Sequence, residues 1–463
     1  MARLDVTSQR ERPQPAPGPR PAAVADRSTA VGDLFEQLFR GVAGAPDVVL
    51  AGGATIYRAE SPRASIVLTH QGVIRDLLMS GSDVGAAEAF IRGDVAVEGD
   101  LESAIDALAV ARKIRTPREW LLIVRLASRI SSARQAQHDA HADKTNHRAA
   151  ARLTGRRHSR ERDRAAVEYH YNVSNEFYAL WLDKNMTYSC AYFRNPDDSL
   201  DTAQLQKYDL IARKLRVKAG ERVLDIGCGW GGFIRFLARE YGARAVGVTL
   251  SSRQAEYAVQ RIAREALDST CRVEMLDYRD LSSLGLFDKI ASIGMVEHVG
   301  SANLPAYFAA AHRALAPGSL FLNHGIVSQT PQPTGLGGVL ARIVPGRSSF
   351  IERYVFPESD LLRLDRATAE AERAGFEVLD AENLRPHYQR TLQHWVRNLE
   401  ENQQEARRIV GDETYNTWRL YMAGSAQGFG SGRMGVVQTL LAKRDNDGTH
   451  RAPHTRDDIY ARA

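Results

Sequence analysis

The chain has 463 residues, enough for roughly two or three domains. Apolar residues make up 44% and charged residues 25%, ordinary values for a globular protein with a sizeable core. The net charge of +5 is too small to mark a general polyanion binder, and Cys190, Cys228 and Cys271 lack the paired spacing of a metal site. An odd cysteine count, with no apolar h-region in MARLDVTSQRERPQPAPGPRP, predicts a reducing, cytoplasmic setting. No run of about 18 apolar residues is present to span a membrane.

Residues 1 to about 30 are rich in Pro, Ala and Arg without periodicity, which predicts a disordered arm. A globular pattern starts at VGDLFEQLF. VVLAGGATIYRA and ASIVLTH look like strands; GVIRDLLMS and DVGAAEAFIRGDVAVEGDLESAIDALAVA look helical, with breaks at Gly93 and Gly99. Residues 31–112 are therefore read as a small α+β domain. In TPREWLLIVRLASRI, Thr116-Pro117 opens a helix whose apolar stripe holds Trp120, Ile123, Ala127 and Ile130, flanked by Arg118, Arg125 and Arg129. Such a helix fits a membrane interface or a packed domain surface. The run from Lys144 to Arg164 carries eight Lys/Arg against two acids. Anionic lipid headgroups would attract it by about 1 kcal/mol per basic residue. No nucleic-acid motif accompanies it, so no nucleic-acid partner is expected.

From about residue 166 strands and helices alternate. ERVLDIG, ARAVGVTL, CRVEML, FDKIASIGM and SLFLNH read as strands, and GGFIRFLAREYG, SSRQAEYAVQRIAREALD and LPAYFAAAHRALA as helices. This is the pattern of a doubly wound α/β sheet, in which ligands bind at the carboxyl ends of the strands. The catalytic domain is placed at 166–445, after a linker at 113–165 and before a flexible tail at 446–463.

DIGCGWGG satisfies GxGxxG through Gly227, Gly229 and Gly232, a weak signal alone. Asp225 stands at the mouth of that loop, where a carboxylate opposes a pyrophosphate but suits a cationic ligand such as the amino-acid end of S-adenosylmethionine. The next strand ends in VTLSS, without the acid that binds ribose in dinucleotide-binding folds. Both features favour a methyltransferase over a dehydrogenase. Cys228, inside the loop, reads as a small packing residue.

The run YHYNVSNEFYALWLDKNMTYSCAYF, then VLDIGCGWGG, GVTLSSRQ, DYRDL, MVEHVG and PHYQRTL, resembles the cyclopropane fatty acid synthases and mycolic acid methyltransferases. The resemblance covers roughly residues 165–443. AEAFIRGDVAVEGDLES more loosely resembles the N-terminal lipid-associated domain of the synthases that act on phospholipids. It implies a class I methyltransferase sheet with a smaller N-terminal α+β domain. The implied reaction is methyl transfer from S-adenosylmethionine to a cis double bond in an unsaturated phospholipid, with bicarbonate as base. The implied cofactor contacts are Tyr188, Ser189, Asp225, Gly227 and Gly229, with Thr249 and Gln254 near the ribose and Tyr278 and Arg279 near the adenine. The implied bicarbonate ligands are Cys190, Glu297, His324, Ile326 through its backbone, and Tyr388; no metal is implied. The enzyme would act in the cytoplasm at the inner face of the membrane, and a homodimer is left open.

The residues suit this chemistry independently. A carbocation needs aromatic faces and no strong nucleophile, and Tyr171, Tyr188, Tyr192 and Phe193 are candidate faces. A weak base held by fixed donors can take the proton without attacking the cation. Cys190 is then neither nucleophile nor metal ligand but part of the wall of an anion pocket. One departure stands out: the family it resembles often carries a cysteine in a Cys-Ala pair where YMAGSAQGF has Ser425, a poor nucleophile near neutral pH. Two rival readings share the scaffold: a methylene- or methyl-branched product after a hydride shift, and a non-catalytic lipid-binding protein.

Overall fold

The computed structural model describes residues 30–80, 83–130, 158–171, 173–330, 350–356 and 360–460. The arm expected up to about residue 30 and residues 144–157 of the basic run lie outside the described residues. The first helix, Ala30–Phe39, buries Val31, Leu34, Phe35, Leu38 and Phe39 at helical spacing. Each such side chain contributes about 1.5–3 kcal/mol through burial. The helix packs on a sheet of order β2-β1-β3-β4: β1 (Asp47–Leu50), β2 (Thr55–Tyr57), β3 (Ala64–Leu68) and β4 (Val95–Gly99).

Two expectations for this unit are corrected. VVLAGGATIYRA is a hairpin of β1 and β2 rather than one strand. VAVEG, expected within a helical stretch, is β4, antiparallel to β3 from Leu68↔Val95 to Ala64↔Gly99. Its alternating valines suit a pleated surface, and Gly93 and Gly99, both at positive φ, bound it. A β carbon on Gly99 would lie 2.7 Å from the Arg63 carbonyl oxygen, so the pairing itself selects glycine there.

Helix Pro117–Ala127 starts as predicted, with a capping box between Thr116 and Glu119. Its apolar stripe, however, packs inward. Ile123, Ala127 and Ile130 are buried and Trp120 is half-buried in the N-terminal core, so the core runs on to Ile130. The opposite face is also apolar: Leu121 is 71% exposed, Leu122 42% and Val124 38%.

The large sheet has the order β10-β11-β9-β8-β5-β6-β7. It comprises β5 (Arg222–Ile226), β6 (Arg244–Thr249), β7 (Cys271–Met275), β8 (Phe287–Ile293), β9 (Leu315–Ser328), β10 (Phe376–Asn383) and β11 (Met434–Lys443). β11 runs antiparallel to both its neighbours, and the pairings from β9 to β7 are parallel. Strand order reverses between β5 and β8, which opens a crevice at their carboxyl ends. This is the class I methyltransferase architecture. β10 and β11 were not expected from the sequence.

Helices Arg385–Glu401 and Gln403–Gly430 lie in the chain between β10 and β11 and carry the N-terminal unit. Gln389 and Gln393 donate to the Glu102 carboxylate at 3.0 and 2.8 Å, and Arg419 donates to the Val97 carbonyl at 3.0 Å. The expected flexible tail is docked as far as Tyr460: Ile459 is buried, and Arg216 pairs with Asp458 at 2.9 Å. Among the described residues no helix is long and apolar enough to cross a membrane.

Candidate active site

After β5 the chain turns through Gly227 (φ 82°), Gly229 (φ 54°) and Gly231 (φ 77°) into helix Gly232–Tyr241. Such backbone favours glycine. A β carbon on Gly229 would meet nothing within 4 Å among the described residues beyond its chain neighbours. The sulfur of Cys228 fills the space beside Gly247, where a β carbon would lie only 2.6 Å from it, so Cys228 packs as expected.

Gly227, Gly229, Thr249, Gln254, Tyr278 and Arg279 line one pocket at this end of the sheet. Thr249 donates its hydroxyl to Gln254 Oε1 at 2.9 Å, which leaves the Gln254 amide nitrogen as a donor. Arg279 pairs with Asp277 and Asp163, each at 2.8 Å, and lies 4.6 Å over the Tyr278 ring. Asp163 belongs to helix Arg160–Tyr171, which supplies a wall that the sequence reading did not anticipate.

Tyr188, Ser189 and Asp225 line an adjoining pocket with Trp230 and Lys207. Asp225 is buried and its Oδ1 has no hydrogen-bond partner among the described residues. Burial raises its pKa to about 7 against the opposing pull of Lys207. Lys207 is itself fully buried, donates to Ser189 Oγ at 2.9 Å, and is lowered by burial to about 8. The sequence reading missed Lys207. The available signal was its place on the buried face of helix Leu200–Leu215, in step with Ala203 and Ile211.

Cys190, Glu297, His324, Ile326 and Tyr388 come together in a third cavity of about 820 Å³, open mouth included. Glu297 comes from the short helix Val296–Val299 after β8, His324 and Ile326 from β9, and Tyr388 from helix Arg385–Glu401. Gly294, after β8, lines all three spaces and joins them.

Glu297 Oε1 accepts the Ile326 backbone N–H at 2.6 Å, while Oε2 is buried without a partner among the described residues. Ile326 therefore orients Glu297, and its N–H is not available to a ligand as the sequence reading had allowed. Burial raises Glu297 to about 7. The same burial holds His298 down at about 4 and pushes His324 well below the usual imidazole range, so both rings are neutral. Nε2 of His324 is also buried without a partner among the described residues. Burial pushes the Cys190 thiol far up, so it stays protonated and is not a nucleophile. Among the described residues no cluster of His, Cys, Asp and Glu could hold a metal.

The aromatic faces differ from those expected. Tyr188 lines the cavity, but Tyr192 stacks on His387 and Phe193 on His394. The side chain of Tyr171 lies outside the described residues. Tyr421, Phe356 and Phe429 line the cavity instead, as does Ser425.

A family model described as mycolic acid cyclopropane synthetase matches residues 158–439, well over half of the chain. The chain belongs to that family. It is 40% identical over 400 residues to a probable fatty acid methyltransferase of Pseudomonas putida, covering 86% of this chain and 92% of that protein. That alignment is longer than the family match and so takes in residues outside it. The cyclopropane synthase MmaA2 of Mycobacterium tuberculosis superposes with a TM-score of 0.56 at 34% identity, over 60% of this chain and 98% of that one. The mycolic acid cyclopropane synthase CmaA1, solved with S-adenosylhomocysteine and CTAB, gives 0.56 at 33% identity, over 60% and 98%.

Proposed function

We propose that this protein transfers a methylene group from S-adenosylmethionine to a cis double bond of an unsaturated phospholipid acyl chain, with bound bicarbonate as the base. Family membership carries the coarser part, S-adenosylmethionine-dependent methyl transfer to a lipid. One observation supports the bound base. Glu297 Oε2 and His324 Nε2 face no partner among the described residues, in a cavity that meets the cofactor pocket at Gly294. Buried polar groups are normally satisfied, so two such atoms in one small space favour a polar ligand there.

S-adenosylmethionine supplies an electrophilic methyl group, and bicarbonate a base too weak to attack a carbocation. The alkene electrons form the new carbon–carbon bond as the methyl–sulfur bond breaks, and loss of a proton from that methyl closes the ring. Asp225 is placed to hold the ligand's ammonium, and the glycine loop lets the backbone approach it. Tyr188, Tyr421 and Phe429 present ring faces that favour positive charge. Glu297, His324 and Tyr388 hold the anion, Cys190, whose thiol donates to the Ala191 carbonyl, closes the wall beside them, and the apolar lining excludes water that would quench the cation. A branched product is the second reading, and the Pseudomonas putida relative's name, probable fatty acid methyltransferase, specifies neither product. The branched product needs only a hydride shift before the same proton is lost.

The lipid would be met at the anionic inner face of the membrane. Exposed Leu121, Leu122 and Val124 stand among exposed Arg118, Arg125 and Arg129, and the basic run follows them in the chain. This is the face opposite the stripe read from the sequence. Mass spectrometry of lipids from cells expressing the protein tests the function. Phospholipid chains gaining CH2 support it, and fragmentation separates a ring from a methylene branch. No gain over cells expressing Glu297→Gln would contradict it.

A further inference from the structure

Behind His324 stands a residue with no place in the chemistry so far. Gln438, on β11, is directly opposite His324, on β9, and both are fully buried. The Gln438 amide nitrogen lies 3.2 Å from Nδ1 of His324. A neutral imidazole carries one N–H and one lone pair. An amide N–H donating to Nδ1 puts the lone pair there and the ring proton on Nε2, the nitrogen left without a partner among the described residues. The backbone of His324 is fixed as well, since its carbonyl accepts the Gly294 N–H at 2.8 Å.

We propose that Gln438 is a positioning residue that fixes His324 as the Nε2–H tautomer, so that the ring donates a hydrogen bond to the anion held beside Glu297. This rests on the anion-base reading above. The opposite tautomer would fail twice. Its Nε2 lone pair would repel the anion, and it would put a nucleophile next to a carbocation. Lys207 and Lys214 reinforce the neutral state, because a second proton on this ring is disfavoured near their charges as well as by burial.

The test uses the full-length protein with 15N-labelled histidine. Long-range proton–nitrogen spectra identify the His324 tautomer, and the His324→Gln variant assigns the signal. The expected wild-type state is Nε2–H. In Gln438→Glu the carboxylate accepts from Nδ1, which reverses the tautomer. Turnover then falls by about 10²-fold, within the range for losing positioned acid–base help, while S-adenosylmethionine affinity stays within about twofold. Added bicarbonate does not restore it. Gln438→Met, of similar length and uncharged, guards against a folding defect and loses about tenfold, since the ring is then free to take either tautomer. A wild-type Nδ1–H signal, or full turnover in both variants, overturns the proposal. A wild type that shows Nε2–H but turns over equally well without bicarbonate removes the anion and with it the donor role. That separates failure of the reading from failure of the tautomer assignment.

Discussion

The cofactor pocket and the reaction cavity share Gly294 but are built on different plans. The first, taken with the adjoining pocket at Asp225, draws most of its polar residues from consecutive strand ends, Asp225 to Arg279, and several of them satisfy one another: Thr249 with Gln254, Arg279 with Asp163 and Asp277. In the adjoining pocket the group without a partner among the described residues is an acceptor, Asp225 Oδ1, which asks for a cation. The second gathers Cys190, Glu297, His324 and Tyr388 from four separate segments into a largely apolar space. There a neutral ring nitrogen and one carboxylate oxygen lack partners among the described residues, and on our reading they ask for a small anion that carries a proton. Opposite ligand charges, kept apart in adjoining spaces, suit a reaction in which a sulfonium gives up its methyl and a proton leaves afterwards.

That division can be broken by substitution. Glu297→Gln should have the largest effect, lowering turnover by about 10²- to 10⁴-fold while cofactor affinity changes little. Steady-state kinetics beside calorimetry checks this, and a parallel loss of cofactor affinity would mean that the two spaces are not separable. Asp225→Asn should do the reverse. Losing a charge-assisted hydrogen bond is worth about 1.5–3 kcal/mol, so affinity should fall by roughly 10- to 150-fold with turnover at saturation largely kept.

The pH dependence sharpens the same point. The buried Asp225 has its pKa raised to about 7, so below that pH it is protonated and must lose a proton to hold an ammonium group. Affinity for S-adenosylmethionine should therefore fall as pH drops below about 7, by up to about tenfold per unit. Titration calorimetry at several pH values reads this directly, and the slope should vanish in Asp225→Asn. Ser425→Ala should have the smallest effect, within about threefold in turnover. Ser425 lines the cavity, but the chemistry needs no covalent intermediate there. A thousandfold loss would show that the position takes part in the reaction.

The two regions also differed in how far they could be read from sequence. The glycine loop, Asp225, Thr249 and Gln254 lie on contiguous strand-turn-helix units, so local pattern places them at the ends of β5 and β6. The cavity residues look like ordinary polar side chains one at a time; only family order singled them out, and only the fold brings them together. Backbone partners were beyond reach, which is why Ile326 was read as a ligand although its N–H is committed to Glu297. Lys207 and Gln438 escaped because a polar residue on an otherwise apolar face carries no local mark of what it touches. β10 and β11 went unread, and with them the antiparallel edge that places Gln438 behind His324. Helix Pro117–Ala127 was read correctly as a helix, and the stripe read from its periodicity is the buried one, but the pattern could not say whether that stripe meets a membrane or the domain core.

The central claim is that Glu297 and His324 hold a small anion that serves as base. Turnover of purified protein on unsaturated phospholipid vesicles, in degassed bicarbonate-free buffer and again after bicarbonate is restored, tests it most directly. The account predicts that wild-type turnover falls without bicarbonate and recovers with it, while Glu297→Gln stays slow in both. Equal wild-type rates with and without bicarbonate would contradict it.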